Sequence, residues 1–208
     1  MSNGLFIAFE GIDGSGKSTH IGMLSRRLEA AGIPVHTTAE PTNRPAGKLI
    51  RDIFAGRLKA DQHVIAALFA ADRLDHLTHE DGGMLHQLAA GFTVITDRYF
   101  LSSYAYHGVH VDAGWVTEIN SIATGMRRPD ITFYLDVAPE VSMSRIRQTR
   151  QDMEPYETLS NLQAVHALYE EAIERFSASE RIVRIDGNRN KEAIASDIWE
   201  EISRMTGR

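Results

Sequence analysis

The residues with the clearest chemistry stand near the start of the 208-residue chain. Gly11-Ile12-Asp13-Gly14-Ser15-Gly16-Lys17-Ser18-Thr19 contains G-x-x-x-x-G-K-[ST], a phosphate-binding P-loop. Each residue type has a reason to be there. Glycine reaches backbone conformations closed to other residues, so successive N–H groups can converge on phosphate oxygens. A helix starting at Lys17 would add the positive end of its dipole. Lys17 is expected to reach the β- and γ-phosphates, and the Ser18 hydroxyl to ligate Mg²⁺. This is the chemistry of nucleoside triphosphate binding. The fate of the γ-phosphate has to be read elsewhere in the chain.

Such a loop needs a strand before it and a helix after it. The apolar run 5–10 is short enough for a buried strand, and 19–31 reads as an amphipathic helix. Ile21, Leu24 and Leu28 share its apolar face, and Gly32 is its stop. Further strands are predicted at 33–38, 92–96, 131–136 and 181–186. Pro34 falls near the start of the second, where proline is tolerated. Helices are predicted at about 46–56, 61–80, 84–90, 101–107, 113–125, 139–148, 157–177 and 190–205. No repeat, linker or low-complexity tract interrupts this order, so 1–208 reads as a single domain. Apolar strands separated by helices imply a five-stranded parallel sheet with helices on both faces. That is a three-layer α/β arrangement of the P-loop NTPase type.

Composition narrows the function. With 22 Lys+Arg against 28 Asp+Glu the net charge is -6, which argues against a protein that coats nucleic acid. The absence of Cys excludes disulfides and thiolate metal sites. No apolar run approaches the ~18 residues of a membrane helix, and the start does not read as a signal peptide. A cytoplasmic location without membrane partners is therefore expected.

In parallel sheets of this kind ligands sit beyond the carboxyl ends of the strands. Glu10, Glu40, Asp97-Arg98 and Asp136 close predicted strands or follow them directly, and are expected to ring one cleft. No N-K-x-D motif for reading guanine is present. Arginines are instead spread through the turn and helix regions, among them Arg44, Arg51, Arg73, Arg98, Arg145, Arg147 and Arg150. Phosphoryl transfer is mostly positioning and charge neutralisation, so such a set suits a phosphorylated donor and a phosphorylated acceptor.

Taken together, F-E-G-I-D-G-S-G-K-S-T, E-P, F-A-A-D-R, D-R-Y-x-x-S-S-x-A-Y and R-P-D-x-T-x-Y-L-D run in order between residues 6 and 136. The combination resembles bacterial thymidylate kinase. The resemblance implies transfer of the ATP γ-phosphate to dTMP, giving dTDP and ADP, with Mg²⁺. It also implies a homodimer packed through helices, to which the apolar stretch 64–71 would contribute.

Carried onto this sequence, the resemblance gives Asp13 the 3′-hydroxyl of the acceptor sugar. Phe69 stacks on thymine, and Arg73, one helical turn later, hydrogen-bonds the base. Arg51 and Arg98 grip the acceptor phosphate, with Glu40-Pro41 nearby and Pro41 a candidate cis proline. Asp97 lies near Mg²⁺ with Ser18, and Ser103 and Tyr106 line base and sugar. Two departures stand out. Ala39 occupies a position where the family often has Arg, and Met153 replaces an arginine in the mobile lid at about 147–157. With Gly rather than Arg at position 14, neutralising the transferring phosphoryl group is expected to fall to Arg150, with Arg147 second. The alternatives are a kinase of the same fold acting on dUMP, another nucleoside monophosphate or a deoxynucleoside, and a non-catalytic nucleotide-binding regulator.

Overall fold

The computed structural model describes residues 4–149 and 158–207. Along the chain lie β1 (Phe6–Glu10), α1 (Lys17–Ala30), β2 (Val35–Ala39), α2 (Pro45–Phe54), α3 (Gln62–Thr78), α4 (Met84–Ala89) and β3 (Thr93–Asp97). There follow α5 (Phe100–Gly108), α6 (Ala113–Met126), β4 (Ile131–Asp136), α7 (Pro139–Thr149), α8 (Leu159–Phe176), β5 (Ile182–Asp186) and α9 (Lys191–Thr206). The strands form one parallel sheet in the order β2-β3-β1-β4-β5. The predicted fold class is the observed one.

Strand alternation divides the core. Ile7 and Phe9 of β1 face one side with Ile95, Phe133 and Leu135, under Ile21, Leu24 and Leu28 of α1 and Ile194, Ile198 and Ile202 of α9. Phe6 and Ala8 face the other side with Val94 and Tyr134, under helices that include α4, α5, α7 and α8. Strands apolar on both faces are what a sheet covered twice requires.

Two boundaries moved for local reasons. The second strand starts at Val35 rather than 33, because Pro34 has no N–H to give the ladder; its carbonyl still accepts from Thr93 N at 2.8 Å. The next helix starts at Pro45, whose fixed φ suits the first helical position.

Register then sets the site. Phe9 lies opposite Asp97 on one side and Phe133 on the other, and Ala39 also lies opposite Asp97. The ends of β1, β2 and β3 thus stop at one level, and β1 sits where the strand order reverses, the usual ligand crevice of such sheets. Asp136 corrects the expected ring of carboxylates. Its oxygens bond His166 Nε2 at 2.9 Å and Arg184 at 2.8 Å, toward the β5 edge, so it is committed to a separate ion cluster.

Candidate active site

The P-loop runs from the end of β1 into α1. Gly14 and Gly16 have φ of 76° and 98°, a region costly for residues with a Cβ. The α1 N-cap is Gly16 and carries no side-chain bond, whereas α3, α6, α8 and α9 are each capped by an Asp, Asn or Thr side chain. α2, α4 and α5 also lack a side-chain cap, but at α1 the uncapped N–H groups open onto the phosphate loop, where a ligand can take them. The buried Ser15 hydroxyl has no hydrogen-bond partner. Lys17 is buried and folds back on the loop, donating to the carbonyls of Gly11 at 3.1 Å and Ile12 at 3.2 Å. Burial, then the charge of Arg98, lowers its pKa from the usual lysine value against the pull of Asp97, Asp13 and Glu10.

Arg98 is the hub. It follows β3 with a φ of 72°, the one non-glycine with positive φ among the described residues. Its carbonyl accepts from Thr96 Oγ1 at 2.9 Å and its N–H donates to Phe9 C=O at 2.9 Å, so both sides of the strained residue are tied down. The guanidinium donates to Asp13 at 2.5 Å, to Tyr106 Oη at 3.1 Å, to Ser102 at 3.0 Å and to Gly11 C=O at 3.2 Å. The Tyr106 hydroxyl donates to the other Asp13 oxygen at 2.8 Å. Burial works to raise the Asp13 carboxyl, but Arg98 and then Lys17 hold it below the ordinary carboxylate value. A charged carboxylate therefore sits inside the phosphate loop, kept there by α5 and the turn before it.

Ser18 and Asp97 form the candidate metal centre. Ser18 Oγ donates to Asp97 Oδ2 at 2.9 Å, while Asp97 Oδ1 is buried without a hydrogen bond, 4.0 Å from Lys17 Nζ. One carboxylate and one hydroxyl beside a phosphate site suit Mg²⁺, which keeps most of its coordination for water and phosphate oxygens.

A second group lies behind Arg98. Arg73, 1% exposed, pairs with Glu40 at 2.9 and 2.6 Å through Nε and Nη2. Nη2 also donates to Tyr99 C=O at 3.0 Å, and Nη1 donates to Ser103 Oγ at 2.8 Å and to Asn120 Oδ1. Burial raises the Glu40 pKa, but Arg73 and His76 more than offset this and leave it low. Phe69 is half-buried, its ring 4.9 Å from His107 and 6.0 Å from Phe54. Burial and the nearby Arg73 push His107 down to about 3, so this ring is neutral. Phe54 continues into a cavity of about 500 Å³ that Ile53, Ile65 and Val109 also line.

Arg51 lies at the rim, donating to the carbonyls of Pro41 at 2.8 Å and Thr42 and to Asn43 Oδ1 at 2.9 Å. Asp72 ties the same loop to α3 by accepting from Thr42 N at 2.7 Å and Thr42 Oγ1 at 2.6 Å. The Glu40-Pro41 bond is cis. Arg147 is exposed at the end of α7, and Arg150 and Met153 lie outside the described residues.

The structure thus brings Asp13, Lys17, Ser18, Asp97, Arg98 and Tyr106 into one cluster and Glu40, Arg73 and Ser103 into another. The turn Asp97-Arg98-Tyr99 joins them. Beneath that turn lie Glu10, which the sequence placed at the cleft, and Tyr169, which sequence reasoning missed. Glu10, fully buried, accepts from Tyr99 N at 2.9 Å, Ser102 Oγ at 2.6 Å and Tyr169 Oη at 2.9 Å, and burial raises its pKa against those bonds. A lone carboxylate ending an apolar strand was a signal for Glu10. Tyr169 offered none, because it shares the apolar stripe Leu162, Val165, Ala172 of α8.

A family model described as thymidylate kinase matches residues 9–198. Among similar proteins, a probable thymidylate kinase of Pyrobaculum aerophilum is 41% identical over 201 residues, covering 96% of this chain and 97% of the relative. The thymidylate kinase of Leptospira interrogans is 32% identical over 197 residues, covering 94% and 92%. That of Thermomicrobium roseum is 34% identical over 210 residues, covering 98% and 96%. The likeness extends to archaeal relatives, wider than the bacterial resemblance drawn from the motifs.

Proposed function

The chain belongs to the thymidylate kinase family, of ATP:dTMP phosphotransferase type, and we propose how its cleft transfers the γ-phosphate of ATP to dTMP, giving dTDP and ADP. The observation that carries the reading is Asp13. A carboxylate inside a phosphate loop repels the donor unless it serves something else, and here it faces Arg98 and Tyr106 across the cleft. That makes one residue the boundary between a donor side and an acceptor side.

On the donor side, the loop N–H groups and Lys17 hold the triphosphate, Lys17 exchanging its two loop carbonyls for phosphate oxygens. Mg²⁺ held at Ser18 and Asp97 would neutralise phosphate charge. On the acceptor side, Asp13 accepts from the 3′-hydroxyl, Arg98 and Arg51 take the phosphate, Phe69 stacks on the base and Tyr106 flanks the sugar. Arg73 and Ser103 meet the base edge, and Glu40 holds Arg73 in orientation through two hydrogen bonds. Neutralising the transferring group is assigned to Arg150, with Arg147 as the second candidate. Since such transition states are stabilised by positioning and charge, this division needs no covalent step on the protein.

A second copy is assigned to the α3–α6 face. Val64, Ile122 and Met126 are 49%, 60% and 49% exposed there, on helices that pack against each other. No helix among the described residues is long and apolar enough to cross a membrane, in keeping with a cytoplasmic enzyme.

The test is ADP release with ATP-Mg²⁺ and, separately, dTMP, dUMP, dGMP, UMP and thymidine. Turnover with dTMP should exceed the others at least about tenfold, a methyl in an apolar pocket being worth roughly 1–3 kcal/mol. Best turnover with thymidine would make the protein a deoxynucleoside kinase and remove the acceptor-phosphate role of Arg98.

A further inference from the structure

We infer that Asn120 of α6 is a positioning residue for the acceptor base, acting through Arg73 without touching the acceptor. The inference rests on the reading above that Arg73 meets the base.

An arginine has five N–H donors, and all five of Arg73 are committed. A base carbonyl reaching this guanidinium must therefore take over one of those bonds. The two bonds to Glu40 keep a buried charge paired, and giving one up is costly. The bond to Tyr99 C=O goes to backbone that is itself fixed, since Tyr99 N donates to Glu10 and Tyr99 Oη donates to Arg127 C=O at 2.8 Å. Only Nη1 remains, with Ser103 and Asn120 as its neutral partners.

These two differ in kind. A serine hydroxyl rotates freely and donates as readily as it accepts, so Ser103 can release Nη1 and offer its own proton to the base. Asn120 is 1% exposed, and its Nδ2 donates to Val116 C=O at 2.8 Å, one turn back in α6. That bond sets the amide so that its oxygen faces Nη1. Asn120 is thus the fixed end of Nη1 and Ser103 the exchangeable one. With Asn120 in place, one Nη1 hydrogen is held back and the other rests on Ser103, the partner a base can replace. Without it, both hydrogens of a buried cation seek partners, and Nη1 closes on Ser103 instead of the base.

The experiment compares wild type with Asn120→Ser and Asn120→Asp in steady-state kinetics with dTMP and dUMP. In Asn120→Ser the hydroxyl can bond back to Val116 C=O, as Thr124 Oγ1 does to Asn120 C=O at 3.1 Å, but falls short of Arg73. We expect KM for dTMP to rise about tenfold or more, the scale of one lost bond to a charged group, with kcat and KM for ATP within about twofold. Asn120→Asp keeps an acceptor oxygen near Nη1 but gives up the bond to Val116 C=O, so its KM for dTMP should fall between those of wild type and Asn120→Ser. A lower Tm in Asn120→Ser with KM for dTMP unmoved would overturn the inference. So would failure of both Asn120→Ser and Asn120→Thr to fold, since Asn120 would then be holding α6 rather than Arg73. The underlying reading fails separately: by a wild type inactive on dTMP, or by Arg73→Lys leaving KM for dTMP unchanged.

Discussion

Arg98 and His107 show how environment turns ordinary side chains into site residues. Arg98 is held in a left-handed conformation by bonds to Phe9 and Thr96, so its guanidinium enters the cleft between Asp13 and Tyr106. Lysine keeps the charge but not the planar fork. Arg98→Lys should lower kcat/KM for dTMP about 10²-fold, since hydrogen bonds between charged groups contribute about 1.5–3 kcal/mol each. Steady-state kinetics at saturating ATP checks this. His107 carries a pH signature. Burial and Arg73 depress its pKa to about 3 in the fold, against about 6.5 in the unfolded chain. The unfolded chain takes up that proton first, so the stability His107 contributes is complete above pH 6.5 and is lost as the pH falls toward 3. Between pH 7 and pH 5 this one group should remove about 2 kcal/mol. Urea unfolding of wild type and His107→Gln at the two pH values should differ by that slope, and parallel losses would show His107 to be unperturbed.

The phosphate loop depends on an element the motif does not mention. Helix α7 lies against it: Ser142 Oγ donates to Asp13 C=O at 2.8 Å, and a Cβ on Gly14 would stand 2.7 Å from Ser142 C=O and 3.0 Å from Ile146 Cγ1. Gly14 is therefore required for close approach as well as for its positive φ. Gly14→Ala should push the loop off α7. The left-handed penalty alone is about 1–2 kcal/mol, or roughly 2–8 °C in Tm for a chain of this size. KM for ATP should rise by about tenfold or more as loop N–H groups lose their convergence. Calorimetry with ATP kinetics tests both, and an unchanged Tm would mean that the loop and α7 are not in contact. The same logic makes α3 a positioning element. Asp72 fixes the Glu40–Arg44 loop from one side of α3, while Arg73 on the next residue fixes Glu40 itself.

For the whole molecule, the proposed contact with a second copy rests on the exposed Val64 of α3 and Ile122 and Met126 of α6. Ile122→Glu with Met126→Glu should convert a dimer into monomers in analytical ultracentrifugation, because buried unpaired carboxylates oppose association. An unaltered sedimentation coefficient would place the contact elsewhere. The sequence alone determined much of this protein. Periodicity located the strands, β4 at its observed bounds 131–136, and the β-strand, glycine loop, helix order imposed a parallel sheet with its crevice at the strand ends. These features are local, written in spacings of two and of about 3.6 residues and in turn chemistry. Residues carried by contiguous motifs, such as Lys17 and Arg98, were legible for the same reason. What the tertiary structure decided is long-range. Asn120 and Tyr169 belong to the site only because α6 packs against α3 and α8 brings its tyrosine onto Glu10, and Asp136 leaves it only because Arg184 of β5 and His166 of α8 claim its carboxylate. Such pairings span 30 to 159 positions of sequence, a separation that no local pattern encodes.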